Sequence, residues 1–120
     1  MNASLWLGIA IAGALGAAAR LVIDGVILTR TGGRLPLGTA VINLSGAFVL
    51  GILAGAGVGH SVALVVGTGF VGAYTTFSTW MLETLSLGES GRLRASVANV
   101  VGQVVAGLAL AALGFMLGRL

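Results

Sequence analysis

The 120-residue chain contains no cysteine and no lysine, a single proline, a single histidine and only three acidic residues. Without cysteine there is no disulfide framework, no thiolate nucleophile and no cysteine metal site. One histidine and three carboxylates, with no acid–base constellation in any apolar tract, leave nothing from which to assemble a proton-transfer catalyst, so no enzymatic activity is expected. Charged residues make up 8% of the chain, against about a quarter in soluble domains. So few charges cannot cover the surface of a water-soluble fold. Six basic against three acidic residues give a net charge of +3 and a pI of 11.3. The arginines are scattered over the loops and form no phosphate-binding patch, so no nucleic-acid partner is expected.

What the sequence has in quantity is apolar surface: 58% of residues are hydrophobic and the mean hydropathy is +1.12. Asp, Glu, Lys and Arg are absent from residues 1–19, 35–82 and 95–118. Crossing ~30 Å of hydrocarbon takes about 20 apolar residues, so the outer tracts hold one crossing each and the middle tract holds two. The expected fold is an all-α, multi-pass protein of the cell membrane. It is one unit over residues 1–120, with helices near 4–27, 37–56, 62–87 and 95–117. The first tract lacks a basic leading region and a cleavage site, so it reads as a retained helix. Arg30, Gly32, Gly33, Arg34 and Pro36 mark the first loop; Gly57, Gly59 and His60 a tight turn; and Gly88, Gly91, Arg92 and Arg94 the last loop. Trp6 suits an interfacial anchor, and His60 a solvated turn.

Glycine is also abundant, with 21 copies. Ala47, Gly51, Gly55 and Gly59 recur every fourth residue on the second helix. Gly107 and Ala111, then Gly114 and Gly118, repeat that spacing on the fourth. Such stripes let helix backbones approach closely in lipid. Four short helices do not easily enclose a pore alone, so the stripes are expected to serve a second copy as well.

The third helix carries Gly72-Ala-Tyr-Thr75-Thr76-Phe77-Ser78-Thr79-Trp80, with four hydroxyls in five residues beside a glycine. Isolated hydroxyls in membrane helices usually bond back to the preceding turn. A cluster of this density points instead to a break, whose freed backbone groups must be satisfied by protein, water or an ion. Thr39 and Asn43 lie one turn apart on the second helix, as do Asn99 and Gln103 on the fourth, and each pair makes a short polar stripe. An interhelical hydrogen bond is the plain alternative for each, worth about 1 kcal/mol in membranes.

Three segments in this order resemble the Fluc (CrcB) fluoride channels: Gly13-Ala-Leu-Gly16-Ala17-Ala-Ala-Arg20, then Pro36-Leu-Gly38-Thr39-Ala-Val-Ile-Asn43-Leu-Ser-Gly46, then Gly72 to Trp80 with Glu83. The resemblance covers essentially the whole chain. It implies an antiparallel dimer with two fluoride pathways, a broken third helix and a structural sodium ion at the dimer centre. It also implies a passive role, export of fluoride that entered an acidified cell as hydrogen fluoride. By position, Phe77 is the first pathway aromatic, and Trp80 stands where most members have a second phenylalanine. Asn43 matches the pathway asparagine, and Asn99 and Gln103 correspond to the family's tyrosine and serine on the last helix. The sodium ligands, main-chain carbonyls, match Gly72 and Thr75. Hydroxyls of Thr39, Thr76, Ser78 and Thr79 are further pathway candidates, and Arg20 is a vestibule residue that draws anions in, snorkels or pairs with Glu83.

Two other readings compete. A small multidrug-type exporter also has four helices, but proton-coupled export needs a carboxylate inside the first helix, and none precedes Asp24. A purely structural membrane subunit would explain the glycines but not the segment from Gly72 to Trp80. Charge sidedness adds one complication for a symmetric pair. The two loops on one side carry Arg30, Arg34, Arg92 and Arg94, and the opposite side only Arg119. By the positive-inside rule most copies insert with both termini outside, so the partner in an antiparallel dimer is either a second copy or an oppositely oriented paralogue.

Overall fold

A computed structural model describes residues 1–120. It is entirely helical, and four of its helical segments are long and apolar enough to cross a membrane. α1 (Ala3–Thr31) starts at Asn2, whose side-chain oxygen accepts from the Leu5 N–H at 2.9 Å. It runs four residues past the expected end near 27. Thr29 and Thr31 turn their hydroxyls back onto the Gly25 and Ile27 carbonyls, which keeps these polar residues compatible with a helix. Gly32, at φ 74°, then closes the helix in the left-handed conformation, which costs glycine nothing.

α2 (Leu37–Ala56) follows Pro36 and stops at Gly57, φ 62°. The third crossing, His60–Glu89, is composite. α3 (His60–Val62) passes into a π-helical stretch, Ala63–Val71, and then into α4 (Gly72–Tyr74). Thr75 is extended, at φ −83° and ψ 162°, and helix resumes as α5 (Ser78–Glu89). The crossing therefore bends at residues 75–77, in the cluster of hydroxyls. α6 (Leu93–Gly118) is the fourth crossing and starts two residues before the expected 95.

α2 packs most extensively on α6, and α1 packs on the π-helical stretch; α5 also lies against α6. The glycine stripes explain the first of these. A Cβ added at Gly51 would collide with the Ala111 carbonyl, and one at Gly55 with that of Phe115. In return, one at Gly114 would strike the Phe48 carbonyl, and one at Gly118 that of Ile52. The two stripes thus close on each other inside one chain. Gly16 plays the same part against the Phe70 carbonyl. Only 14 of 120 residues are buried, with Ile42 and Val71 the largest that are fully enclosed. So thin a core leaves most apolar side chains facing outward, which suits lipid and not water.

Overpacking at such a backbone contact costs about 1–3 kcal/mol. Gly114→Val is therefore expected to lower the melting temperature of the detergent-solubilised protein by several degrees. Gly107→Ala, whose added Cβ would meet only the end of Leu44 at 3.8 Å, is expected to leave it unchanged. Equal melting temperatures for the two variants would show that α2 and α6 do not touch through their glycines.

Candidate functional site

The bend in the third crossing releases backbone groups that a straight helix would pair, and the structure shows where they go. Asn43, midway along α2, lays its carboxamide against the peptide of Thr76. Its Nδ2 donates to the Thr76 carbonyl at 2.9 Å, and its Oδ1 accepts from the Thr76 N–H at 2.9 Å. One side chain thereby satisfies both polar groups of one residue. On the near side, Thr75 sends both its N–H and its hydroxyl to the Val71 carbonyl, at 3.0 and 2.9 Å. On the far side, the Thr76 hydroxyl accepts from the Thr79 N–H at 3.2 Å and so caps the start of α5. α2 can come this close because Gly46 has no side chain; a Cβ there would run into the Thr75 methyl.

Two cavities flank the bend, and Thr76 lines both. The larger, of about 480 Å³, lies between α2, α6 and the bend, where Asn43, Gln103, Phe77 and Trp80 form its polar and aromatic wall. The smaller, of about 260 Å³, is lined by Arg20, Asp24, Thr39, Thr76, Ser78 and Thr79. Most of the sequence-derived candidates thus fall into two groups that share Thr76, whereas Asn99 and Gly72 line neither cavity. Arg20 is half-buried on the smaller cavity. The partner that the structure gives Glu83 is the Thr39 hydroxyl, at 2.5 Å, which ties α2 to α5.

Phe77 is 71% exposed and stands edge-to-face with Trp80, ring centroids 5.9 Å apart at 88°. Trp80 sends its indole N–H to the Asn99 carbonyl at 2.9 Å. Its one donor is therefore taken, and what it offers the larger cavity is its ring. Asn99 and Gln103 join a chain that also includes Thr84, whose one signal in the sequence is a hydroxyl a turn past Trp80. Asn43 Nδ2 approaches Gln103 Oε1 at 3.4 Å, Gln103 Nε2 donates to Asn99 Oδ1 at 2.9 Å, and Asn99 Nδ2 donates to the Thr84 hydroxyl at 2.8 Å. No buried side-chain nitrogen or oxygen lacks a partner. Gly72 is exposed at the start of α4, and no cluster of His, Cys, Asp or Glu suited to a metal exists.

Four apolar crossings and a third crossing bent beside two cavities define a multi-pass membrane protein. Residues 7–115 match the family described as CrcB-like protein, Camphor Resistance (CrcB), and the chain belongs to that family. It is 51% identical over 117 residues to the fluoride-specific ion channel FluC 2 of Mycolicibacterium paratuberculosis, covering 98% of this chain and 96% of the relative. It is 46% identical over 114 residues to FluC 2 of Mycobacterium tuberculosis, covering 95% and 90%. FluC 1 of Leifsonia xyli subsp. xyli is 45% identical over 118 residues, covering 95% and 86%.

Replacing Asn43 with Leu leaves the Thr76 N–H and carbonyl without their partner, and each stranded backbone group costs about 1–3 kcal/mol. The expected result is a clear fall in melting temperature together with faster amide hydrogen exchange confined to residues 75–77. Unchanged exchange at Thr76 would mean that the carboxamide does not hold the bend.

Proposed function

We propose that this protein is a fluoride-selective channel that lets the ion leave the cytoplasm down its electrochemical gradient, without catalysis or fuel. The observation that carries the reading is Thr76 lining both cavities, which makes the bend the meeting point of a polar, arginine-bearing recess and an aromatic, carboxamide-bearing groove. Membership of the CrcB-like family and the names of the similar channels support fluoride as the ion. A tightly hydrated anion needs donors that replace water without trapping it. Arg20 draws the ion to the smaller cavity, with the Thr39, Ser78 and Thr79 hydroxyls at hand. Beyond Thr76 it meets Asn43, the positive edges of Phe77 and Trp80, and the carboxamide of Gln103, behind which Asn99 stands.

We read the bend as a functional break of the third helix, and the exposed Phe77 and outward-facing larger cavity as surfaces completed by an inverted second subunit. A structural sodium ion at the centre of such a dimer fits the residues present. The extended Thr75 turns its carbonyl off the helical ladder, Gly72 exposes its backbone, and hard oxygen ligands suit a hard cation. It would supply positive charge where two bent helices meet.

Reconstituted in liposomes, the chain is expected to pass a large passive fluoride current and little chloride. Phe77→Ile and Asn43→Asp should each reduce that current at least tenfold, and exhaustive removal of sodium should abolish it until sodium returns. Normal flux in both variants, or full activity without sodium, would remove those residues or that ion from the mechanism. A multidrug-type exporter or a structural subunit would show no fluoride current at all.

Orientation is a separate question. The two arginine-bearing loops are neighbours, since Arg92 Nη1 donates to the Arg34 carbonyl at 2.7 Å, so their positive charge is concentrated at one end. Under the positive-inside rule that end stays in the cytoplasm, and the inverted partner in the cell is then an oppositely oriented paralogue, although the purified chain can still pair with itself. Cysteines introduced singly into the 29–35 loop and after Arg119 are expected to react unequally with an impermeant reagent on intact cells, the second much more strongly. Equal labelling would favour a dual-topology homodimer.

A further inference from the structure

The carboxamide chain between α2, α6 and α5 has a property that follows from which of its members can turn. Asn43 cannot. Rotated by half a turn, its Nδ2 would face the Thr76 N–H and its Oδ1 the Thr76 carbonyl, so both 2.9 Å bonds would become repulsions. Its remaining N–H is therefore always aimed at Gln103, which answers with Oε1 at 3.4 Å, the longest link in the chain. At the other end sits Thr84, a hydroxyl that accepts from Asn99 Nδ2 at 2.8 Å while donating to the Trp80 carbonyl at 2.8 Å. A hydroxyl can exchange these roles by turning its own hydrogen. The Trp80 carbonyl would lose only the extra bond, since within α5 it lies one helical turn before the Thr84 N–H.

Between these ends, Gln103 and Asn99 can turn only together. If Gln103 alone turned, its Oε1 would face Asn99 Oδ1. If both turn, Asn99 Nδ2 donates to Gln103 Oε1, and Thr84 donates to Asn99 Oδ1. The reversal loses two links, the Thr84–Trp80 bond and the one between Asn43 and Gln103. Gln103 Nε2 and Asn43 Nδ2 then converge as two donors with no acceptor between them, on the wall of the larger cavity that Phe77 and Trp80 also line.

We propose that this concerted reversal creates a second-state site for a small, hard anion between Asn43 and Gln103, with Thr84 as the positioning residue that permits it. The proposal rests on the channel reading above, with fluoride as the anion. In the arrangement seen here four links run from Asn43 to Trp80. In the reversed one, the anion's two bonds restore the count, so the site opens when an anion arrives and closes after it leaves. The vacant site presents the Gln103 oxygen to the groove, and no pair of donors stands ready to bind the ion too firmly. Thr84 and Asn99 do not line the groove, so a route made only of cavity-lining residues would be indifferent to the Thr84 hydroxyl.

Thr84→Val keeps the shape and removes the hydroxyl. It strands Asn99 Nδ2 in the arrangement seen and Asn99 Oδ1 in the reversed one, so that neither arrangement is held at this end and the switch between them is lost. Fluoride flux per folded protein is expected to fall at least tenfold in liposomes, and Thr84→Ser to recover to within about threefold of the parent. The chain contains only four carboxamides, Asn2, Asn43, Asn99 and Gln103, so their side-chain amide signals can be followed in nitrogen-15-labelled protein in micelles. Sodium fluoride, compared with sodium chloride, is expected to shift the Asn99 and Gln103 signals together with one midpoint in the parent and to shift neither in Thr84→Val. Parent-like flux in Thr84→Val, or a Gln103 shift without an Asn99 shift, overturns the reversal while the channel reading stands. Concerted amide shifts in a parent that passes no fluoride would support the site and defeat the channel.

Discussion

The pairing of Asn43 with the peptide of Thr76 is the constraint on which the rest of the site depends. At bilayer depth water cannot rescue a backbone group that leaves its helix, so a bend persists only where protein supplies both a donor and an acceptor. A carboxamide is the one uncharged side chain that offers both in a peptide-like arrangement. With its two 2.9 Å bonds in place, Thr75 can remain extended and α5 can restart on a new axis. Phe77 and Trp80 then project into the groove between α2 and α6. The same pairing fixes which way round Asn43 sits, and so which atom it presents to Gln103.

That meeting of α2, α6 and the bend is possible only because glycine removes side chains from the contacts. Gly51 and Gly55 receive backbone carbonyls of α6, Gly114 and Gly118 receive those of α2, and Gly46 admits Thr75. Close approach shortens the distance between facing side chains until carboxamides on different helices can bond directly. The polar network is thus a consequence of the packing, and with no buried side-chain polar atom left over it adds little penalty to a core as small as this one.

How far the sequence revealed this architecture depended on the range of the signal. Charge-free tracts located four crossings because the bilayer imposes a length on each. The glycine and hydroxyl cluster pointed to the right place for the bend, since those residues are unhelpful in a straight, lipid-facing helix. Fourth-residue glycines announced a close contact without naming its partner, and the stripes proved to face each other within one chain. Contacts between distant residues were beyond local pattern altogether. Thr39 and Glu83 are separated by 44 positions, and nothing around Trp80 shows that its indole N–H will be given to the Asn99 carbonyl. The roles proposed for Phe77, Asn43 and the Gly72 and Thr75 carbonyls rest on family resemblance and not on periodicity.

The state of the donors around the groove bears on how such a site would treat an anion. The Trp80 N–H is bound to Asn99, and the Asn43 amide to Thr76 and Gln103. A groove with several free N–H groups would hold a strongly hydrated anion too tightly for passage, since conduction needs binding strong enough to admit the ion and weak enough to release it. Here the rings of Phe77 and Trp80 line the groove and offer only weakly positive edges, whereas the Trp80 and Asn43 N–H groups must first give up an existing bond. Every gain from the ion is therefore offset by a bond lost within the protein. That exchange keeps the binding shallow without making the route apolar, and Trp80 fits it better with its N–H engaged than with it free.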